Sequence, residues 1–510
     1  MIVKNEERYL AECLQSVQGV ADEIVIVDTG STDATIDIAK GFGAKVFHYA
    51  WSGDFAAARN DSLKHCTGDW ILQLDADEEL RVEDKQTLRE LIEHPVADGY
   101  VVALASKVRG GDNLIPAVSR AARLFRRRPG FQFRGMIHES VIDEVLNHGG
   151  VILPAELTLI HKGYSGSDDE IQKKKHRNLE VLLRQAERSP DDFYTLLKLG
   201  ETQLALDHIP EAEQAINHAL QLLNAGKVAA RDNLRVAQIF ILKALVHVKQ
   251  RQFDEAEIAA RNSLTIVPRQ SMGHSLLSHI FEEEGRITEA IAEVRILLNP
   301  PPLPPDDPPL EADVENEREE LHYRLARLLA IANDRAASTQ ALVLAREINP
   351  RYLPVLVSLG GVFAEDGKLD EALECINDAK RVSAAEPKLS LLRAQLLVCL
   401  QRPDEAMEEL KLSFSRGILT EEGLSLLTKL VTERGGEVDP IPYLRTLVEY
   451  RPSALDARFS LVQALIAQEQ FSDALHELNI ALSLSPNETL RGMFLALRWK
   501  IESFLHEVAR

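Results

Sequence analysis

The sequence predicts two unlike parts: an α/β domain on a mainly parallel sheet, then an all-helical solenoid of short repeats. Three observations carry this. Before about residue 165, β-rich runs alternate with amphipathic helices. At 70–79 an apolar run, Trp70-Ile71-Leu72-Gln73-Leu74, enters the acidic group Asp75, Asp77, Glu78 and Glu79. After about residue 190 an alanine returns with one dominant period. A chain of 510 residues with 45% hydrophobic content supports two or more packed domains.

In chain order, Ile2 and Val3 are all that precedes Lys4, so the first strand is expected to be stunted or to begin upstream. Glu23 to Val27 reads as a strand closed by Asp28-Thr29-Gly30-Ser31-Thr32-Asp33. Ser31 or Thr32 is expected to cap the helix that follows, and Gly41 and Gly43 to stop it. Lys45 to Phe47 reads as a short strand, 54–66 as a helix and Trp70 to Leu74 as the next strand. Such alternation implies a parallel sheet, in which ligands bind beyond the carboxyl ends of the strands. Asp28 and Asp75 are both expected at such ends, facing one crevice.

The later alanines are Ala212, Ala256, Ala290, Ala372, Ala406 and Ala474. From 256 to 290 and from 372 to 406 is 34 residues, and from 406 to 474 is twice that. This is the tetratricopeptide period, with about eight copies. Leu199-Gly200 and Leu359-Gly360 keep one offset from their alanines, and Ser338 takes the alanine position in one copy. Two spacings are long: ten extra residues near 224–232, and fourteen that include the proline-rich 299–312, which cannot continue a helix. The expected boundaries are a domain at 1–165, a connecting helix at 166–189, repeats at 190–487 and a capping helix at 488–510.

A net charge of −21 argues against nucleic acid as a partner, because affinity for a polyanion rests largely on Lys and Arg. No stretch has the roughly 18 uncharged apolar residues of a spanning helix, and Met1 to Glu6 has no signal-peptide pattern. The cysteines, Cys13, Cys66, Cys375 and Cys399, are too scattered for zinc or redox spacing. A soluble cytoplasmic protein is the expectation. Oligomeric state is not legible.

Carboxylates at i and i+2 are hard ligands suited to Mg²⁺ or Mn²⁺, and an ion held this way usually carries a phosphate. The segments "MIVKNEE" at 1–7, "DEIVIVDTGSTDAT" at 22–35, "WSGDFAAARN" at 51–60 and "GDWILQLDADE" at 68–78 occur in order. Residues 1–165 thereby resemble a family 2 glycosyltransferase of the GT-A (Rossmann-like) fold. The resemblance implies a nucleotide-sugar donor bound by Lys4, Asn5, Glu6, Asp28, Arg59, Asn60 and Asp75. It also implies an Asp-x-Asp element in which Asp77 is the better metal ligand, Asp75 reaches the ribose or the metal, and Glu78 supports them. His161 is the candidate third metal ligand.

Inverting chemistry needs a base on the acceptor, and Glu139 is the candidate, with Asp112 and Asp143 as alternatives. His138 and His161 are equally readable as structural hydrogen-bonding residues. Arg123, Arg126, Arg127 and Arg128 read either as neutralising the leaving diphosphate or as a solvated basic loop. The leading function is a hexosyltransferase-like enzyme whose repeats recruit an acceptor such as a protein or peptide. The competing readings are an interaction scaffold with a vestigial transferase domain and, ranked last for want of a glycine-rich, lysine-bearing loop, a nucleotidyltransferase.

Overall fold

Two sheets carry the N-terminal part. The computed structural model describes all residues but 111–112, 138, 163–167, 229–232, 301–317, 435–437, 485–486 and 509–510, and the backbone alone at 106–110, 113–119, 168–170 and 507–508. Asp112, His138 and nearly all of the proline-rich insertion therefore lie outside the described residues. Strands β1 (Ile2–Val3), β2 (Val25–Asp28) and β3 (Lys45–His48) form a parallel sheet in the order β1-β2-β3. The second sheet has the order β4-β7-β6-β8-β5, from β4 (Trp70–Leu72), β5 (Glu78–Leu80), β6 (Gly99–Gly110), β7 (Asn113–Arg126) and β8 (Ile152–His161).

Parallel pairing is thus narrower than expected. In the second sheet only β6 and β8 run parallel. β4 pairs antiparallel with β7, Trp70 opposite Arg126. The strand read as Trp70 to Leu74 ends at Leu72, so Asp28 ends β2 of the first sheet while Asp75 lies in the turn between β4 and β5 of the second. The long β6–β7 hairpin accounts for the difference, because it supplies β4 with its neighbour.

Helices α1 (Leu10–Ser16), α2 (Thr35–Gly41), α3 (Phe55–His65), α4 (Lys85–Glu93) and α5 (Ile142–Asn147) accompany the strands. The apolar faces meet in a core that includes Cys13, Leu74, Leu80, Tyr100, Leu124 and Leu159. Asp54 caps α3 by accepting from the Ala57 N–H at 2.9 Å. The expected cap of α2 is not made: Ala34 stands at its N-cap without a side-chain bond. Ser31 Oγ instead accepts from the Asn5 N–H at 2.9 Å, and the Thr32 N–H donates to Asn5 Oδ1 at 2.8 Å. This stitching fixes Asn5 at φ 57°.

Helix α6 (Asp168–Arg188) leads into the repeats. They are built from α7 (Phe193–Ala205), α8 (Ile209–Asn224), α9 (Asn233–Lys249), α10 (Phe253–Ile266), α11 (Ser271–Glu283), α12 (Ile287–Leu298), α13 (Arg318–Ile331) and α14 (Arg335–Ile348), followed by α15 (Leu353–Glu365), α16 (Leu369–Val382), α17 (Pro387–Cys399), α18 (Pro403–Ser415), α19 (Glu421–Glu433), α20 (Ile441–Tyr450), α21 (Leu455–Ala467) and α22 (Phe471–Ser483). These helices make eight two-helix copies. The marker alanines 212, 256, 290, 372, 406 and 474 are each 0% exposed, which is why the position keeps a small residue. Two compact units divide the chain at Met1–Ser338 and Thr339–Arg510, so the change of composition near residue 165 is not a break in compactness. In the second unit α23 (Glu488–Val508) lays Phe494 and Ile501 into a core with Leu478 and Ala481.

Candidate active site

The acidic turn after β4 is held by two arginines from distant strands and helices. Arg59, on α3, donates from Nη2 to Asp75 Oδ1 at 2.6 Å and from Nε to Glu139 Oε1. Arg123, on β7, donates from Nη2 to Glu78 Oε1 at 2.6 Å and to Asp75 Oδ2 at 3.3 Å. Glu78 Oε2 accepts from the Asp75 N–H at 3.0 Å, closing the turn on itself. Burial alone would raise the Asp75 carboxyl, but Arg59 foremost, then Arg123, hold it far below the ordinary carboxylate range. Burial keeps Glu78 above its ordinary value, with Arg123 opposing.

Asp77 points elsewhere. Its Oδ2 lies 3.4 Å from His161 Nε2, a pair formed because β5 and β8 run antiparallel with Glu78 opposite His161. At His161 burial works against the charged imidazole and Asp77 works for it; the balance lies above the ordinary value. Among the described residues no three His, Cys, Asp or Glu side chains converge as a closed metal cage. The Asp77–His161 pair fits a hard divalent ion that draws its remaining ligands from a phosphate substrate and water.

Glu6 stands on the loop after β1, and its N–H donates to Thr35 Oγ1 at 2.7 Å. Burial first, then the charge of Asp77, raises its carboxyl from 4.5 to about 7, with Asp75 and Asp33 adding to the effect. Glu6 thus joins the first sheet electrostatically to the Asp75–Asp77 turn. Asp28, buried at the end of β2, accepts from the Gly30 N–H at 3.1 Å and the Ser31 N–H at 3.0 Å. Burial opposes ionisation there, and these bonds, Ser31 foremost, keep the carboxyl below its ordinary value. Lys4 and Asn5 are exposed beside this loop.

Other expected residues have structural partners. Asn60 clamps the backbone of Phe133, donating from Nδ2 to its carbonyl at 2.9 Å and accepting from its N–H at 2.7 Å. That clamp fixes the segment leading to Glu139. Asp143 is paired with Arg235 of α9 at 2.8 Å. The four arginines do not act as one group: Arg123 and Arg126 lie on β7, and Arg127 and Arg128 are exposed in the loop just beyond it. Arg123 is committed to Asp75 and Glu78, and Arg126 lies over the Trp70 ring at 5.1 Å. Arg127 donates to the Gly68 carbonyl at 2.7 Å and Arg128 to Asp98 at 2.5 Å. Glu139 Oε2 has no hydrogen bond among the described residues.

An α/β domain with this acidic turn, followed by tetratricopeptide repeats, defines a glycosyltransferase with a repeat array. Residues 1–143 match the family model for glycosyl transferase family 2. A TPR repeat-containing protein of Synechococcus elongatus is 32% identical over 301 residues, covering 56% of this chain and 71% of that protein. The SPbeta prophage-derived glycosyltransferase SunS of Bacillus subtilis is 29% identical, covering 44% of this chain and 53% of SunS. An uncharacterized glycosyltransferase of Rickettsia typhi is 31% identical, covering 33% of this chain and 60% of the relative. The chain therefore spans between half and three quarters of the length of these relatives. A solved tetratricopeptide repeat protein from Parabacteroides merdae aligns with 60% of this chain and 98% of its own at 14% identity and a TM-score of 0.34. Residues 1–143 thus form a glycosyl transferase family 2 domain, and the chain belongs with the TPR repeat-containing proteins represented by its Synechococcus relative.

Proposed function

We propose that the chain moves a hexose from a nucleotide-sugar donor to an acceptor by a single displacement that inverts the anomeric centre. The observation that carries this reading is the Asp77–His161 pair, 3.4 Å apart, with Asp77 on the same turn as an Asp75 carboxylate held ionised by two arginines. A divalent ion, Mg²⁺ or Mn²⁺, bound by Asp77 and His161 with Asp75 beside it, would offset charge growing on the leaving diphosphate. Asp28 and the loop of Lys4, Asn5 and Glu6 are the donor-side residues. Arg59 and Asn60 act from α3 by holding Asp75 and the Glu139 segment. Glu139 is the base, with Oε1 fixed by Arg59 and Oε2 left to take the acceptor proton. The repeat array recruits the acceptor, a protein or peptide, as stacked repeats commonly do.

The test is a thermal-shift panel of UDP- and GDP-sugars with and without Mn²⁺. A donor that raises the melting point only with metal is expected, by mass action on the folded state. Asp77→Ala should abolish that shift and lower metal-dependent hydrolysis of the same donor about 100-fold or more. A wild-type chain that binds no nucleotide sugar with metal would leave an interaction scaffold as the better reading.

A further inference from the structure

The site described so far has a deficit of free positive charge. Glu6, Asp28, Asp75, Asp77, Glu78 and Glu139 gather there, and the two buried arginines, Arg59 and Arg123, are spent on Asp75, Glu78 and Glu139. A nucleoside diphosphate adds further negative charge, more than one divalent ion offsets. Uncommitted cations must come from outside the strands.

Helix α6 brings them. Lys174, Arg177, Val181, Arg184 and Arg188 follow a 3-4-3-4 spacing and share one face. That face packs on the transferase domain, and Val181 shares its core with Leu199 of α7 and Ala215 of α8 as well. Val181 packs in a core with Met136 and Ile137, against which Phe55 also packs. Arg188 Nη1 lies 3.8 Å from Met136 Sδ, and a Cβ built on Gly53 would meet Arg184 Nη1 at 3.3 Å. Gln185 Oε1, on the adjoining face, accepts from the Met136 N–H at 2.7 Å. One turn nearer the helix start, the Arg177 guanidinium sits 5.4 Å over the Phe55 ring. Lys174 lies a further turn along. Its charge opposes the rise at Glu6, and Glu6 acts in turn on Arg177. Both cations are exposed, and neither forms an ion pair among the described residues.

We propose that Lys174 and Arg177 form a cationic wall of the donor site and bind the diphosphate of the nucleotide sugar. The helix that links transferase to repeats is then part of the active site, not a spacer. This rests on the nucleotide-sugar reading above and adds two residues that no sequence motif marks.

Titration calorimetry on the full chain with Mn²⁺ tests it, using UDP and GDP as probes and uridine and guanosine as their phosphate-free counterparts. Lys174→Gln and Arg177→Gln should each weaken diphosphate binding about 5- to 20-fold, the range of a charge-assisted phosphate contact, and leave nucleoside binding unchanged. Lys175→Gln, on the opposite face where the ammonium donates to the Ala205 carbonyl of α7 at 3.1 Å, should change neither. Should Arg177→Gln fail to fold, the exposed Lys174 carries the test alone. Diphosphate affinity at wild-type level in the folded variants overturns the proposal while the donor reading stands. A wild-type chain that binds neither diphosphate overturns both.

Discussion

Arg59 sits where the two halves of the site meet. It is 6% exposed and holds carboxylates from 16 and 80 residues away in sequence. Removing one partner of a buried ion pair leaves the other charge uncompensated, at a cost of roughly 3–5 kcal/mol. Arg59→Met should therefore lower the free energy of unfolding by that amount, read as a lower urea midpoint, and Arg59→Lys should recover little, since a single ammonium cannot reproduce a planar fork. A midpoint within experimental error of wild type in Arg59→Met would show the clamp to be idle. Glu6 makes a pH prediction. Its folded carboxyl titrates at about 7 against an ordinary 4.5, so the folded state binds the proton more tightly than the unfolded. Stability contributed by Glu6 is then present below about 4.5 and lost as pH rises to about 7. Glu6→Gln stays neutral throughout. Without metal it should match wild type near pH 4 and exceed it at pH 8 by on the order of 1 kcal/mol, discounted for partial exposure. Melting curves at the two pH values decide; equal differences at both would exclude Glu6 as the source. The "ARN" and "DAD" segments made these residues legible as a site. Their partners were not legible, because Arg123 lies 48 residues from Asp75 and nothing local marks it as facing inward.

At the scale of elements, the repeats were readable and the second sheet was not. A 34-residue period survives in the alanines because each is sealed between helices of its copy. The structure shows a second marker with the same spacings. Asp207, Arg251, Gly285, Asn333, Gly367, Gln401 and Glu469 all have φ between 58° and 73°, each five residues before its alanine or serine. They end the first helix of a copy in the left-handed conformation that lets the chain reverse. Glycine fits this at two of the seven positions only, which hid the signal from a sequence reading. A side chain there costs about 1 kcal/mol. Gln401→Gly should therefore stabilise the chain by roughly 0.5–1 kcal/mol after the glycine's extra unfolded-state freedom is set against the gain. Asp207→Gly should gain less, because a short polar side chain tolerates the conformation. Urea unfolding of both variants measures this, and a loss in Gln401→Gly would mean that the turn is not strained. The β6–β7 hairpin stayed hidden for a different reason. Its second strand, "NLIPAVSRAARLFR", carries a proline, three arginines and three alanines where a strand pattern calls for apolar alternation. Pairing on both sides, by β4 and β6, overrides that local composition.

On the scale of the whole molecule, the first compact unit joins transferase and repeats through one core. Met136 and Ile137 are buried against Val181 and Leu182 of α6, Leu199 of α7 and Ala215 of α8. The segment they belong to leads directly to Glu139, so the first repeat helps to fix the backbone that carries Glu139 as well as covering apolar surface. The break in composition near residue 165 marks where the strands end, not where the domain could be cut. Exposing Met136 and Ile137 would forfeit roughly 1.5–3 kcal/mol for each, against a typical total of 5–15 kcal/mol for a domain. A chain ending at residue 165 should therefore be aggregation-prone or melt far below the full protein. A chain ending after α8, at Asn224, keeps the whole of this cluster and should regain both solubility and metal-dependent donor binding. Side-by-side expression and thermal melting of the two truncations measure the difference. Equal stability of both would mean that the repeats contribute nothing to the transferase core, and that Glu139 is positioned by the strands alone.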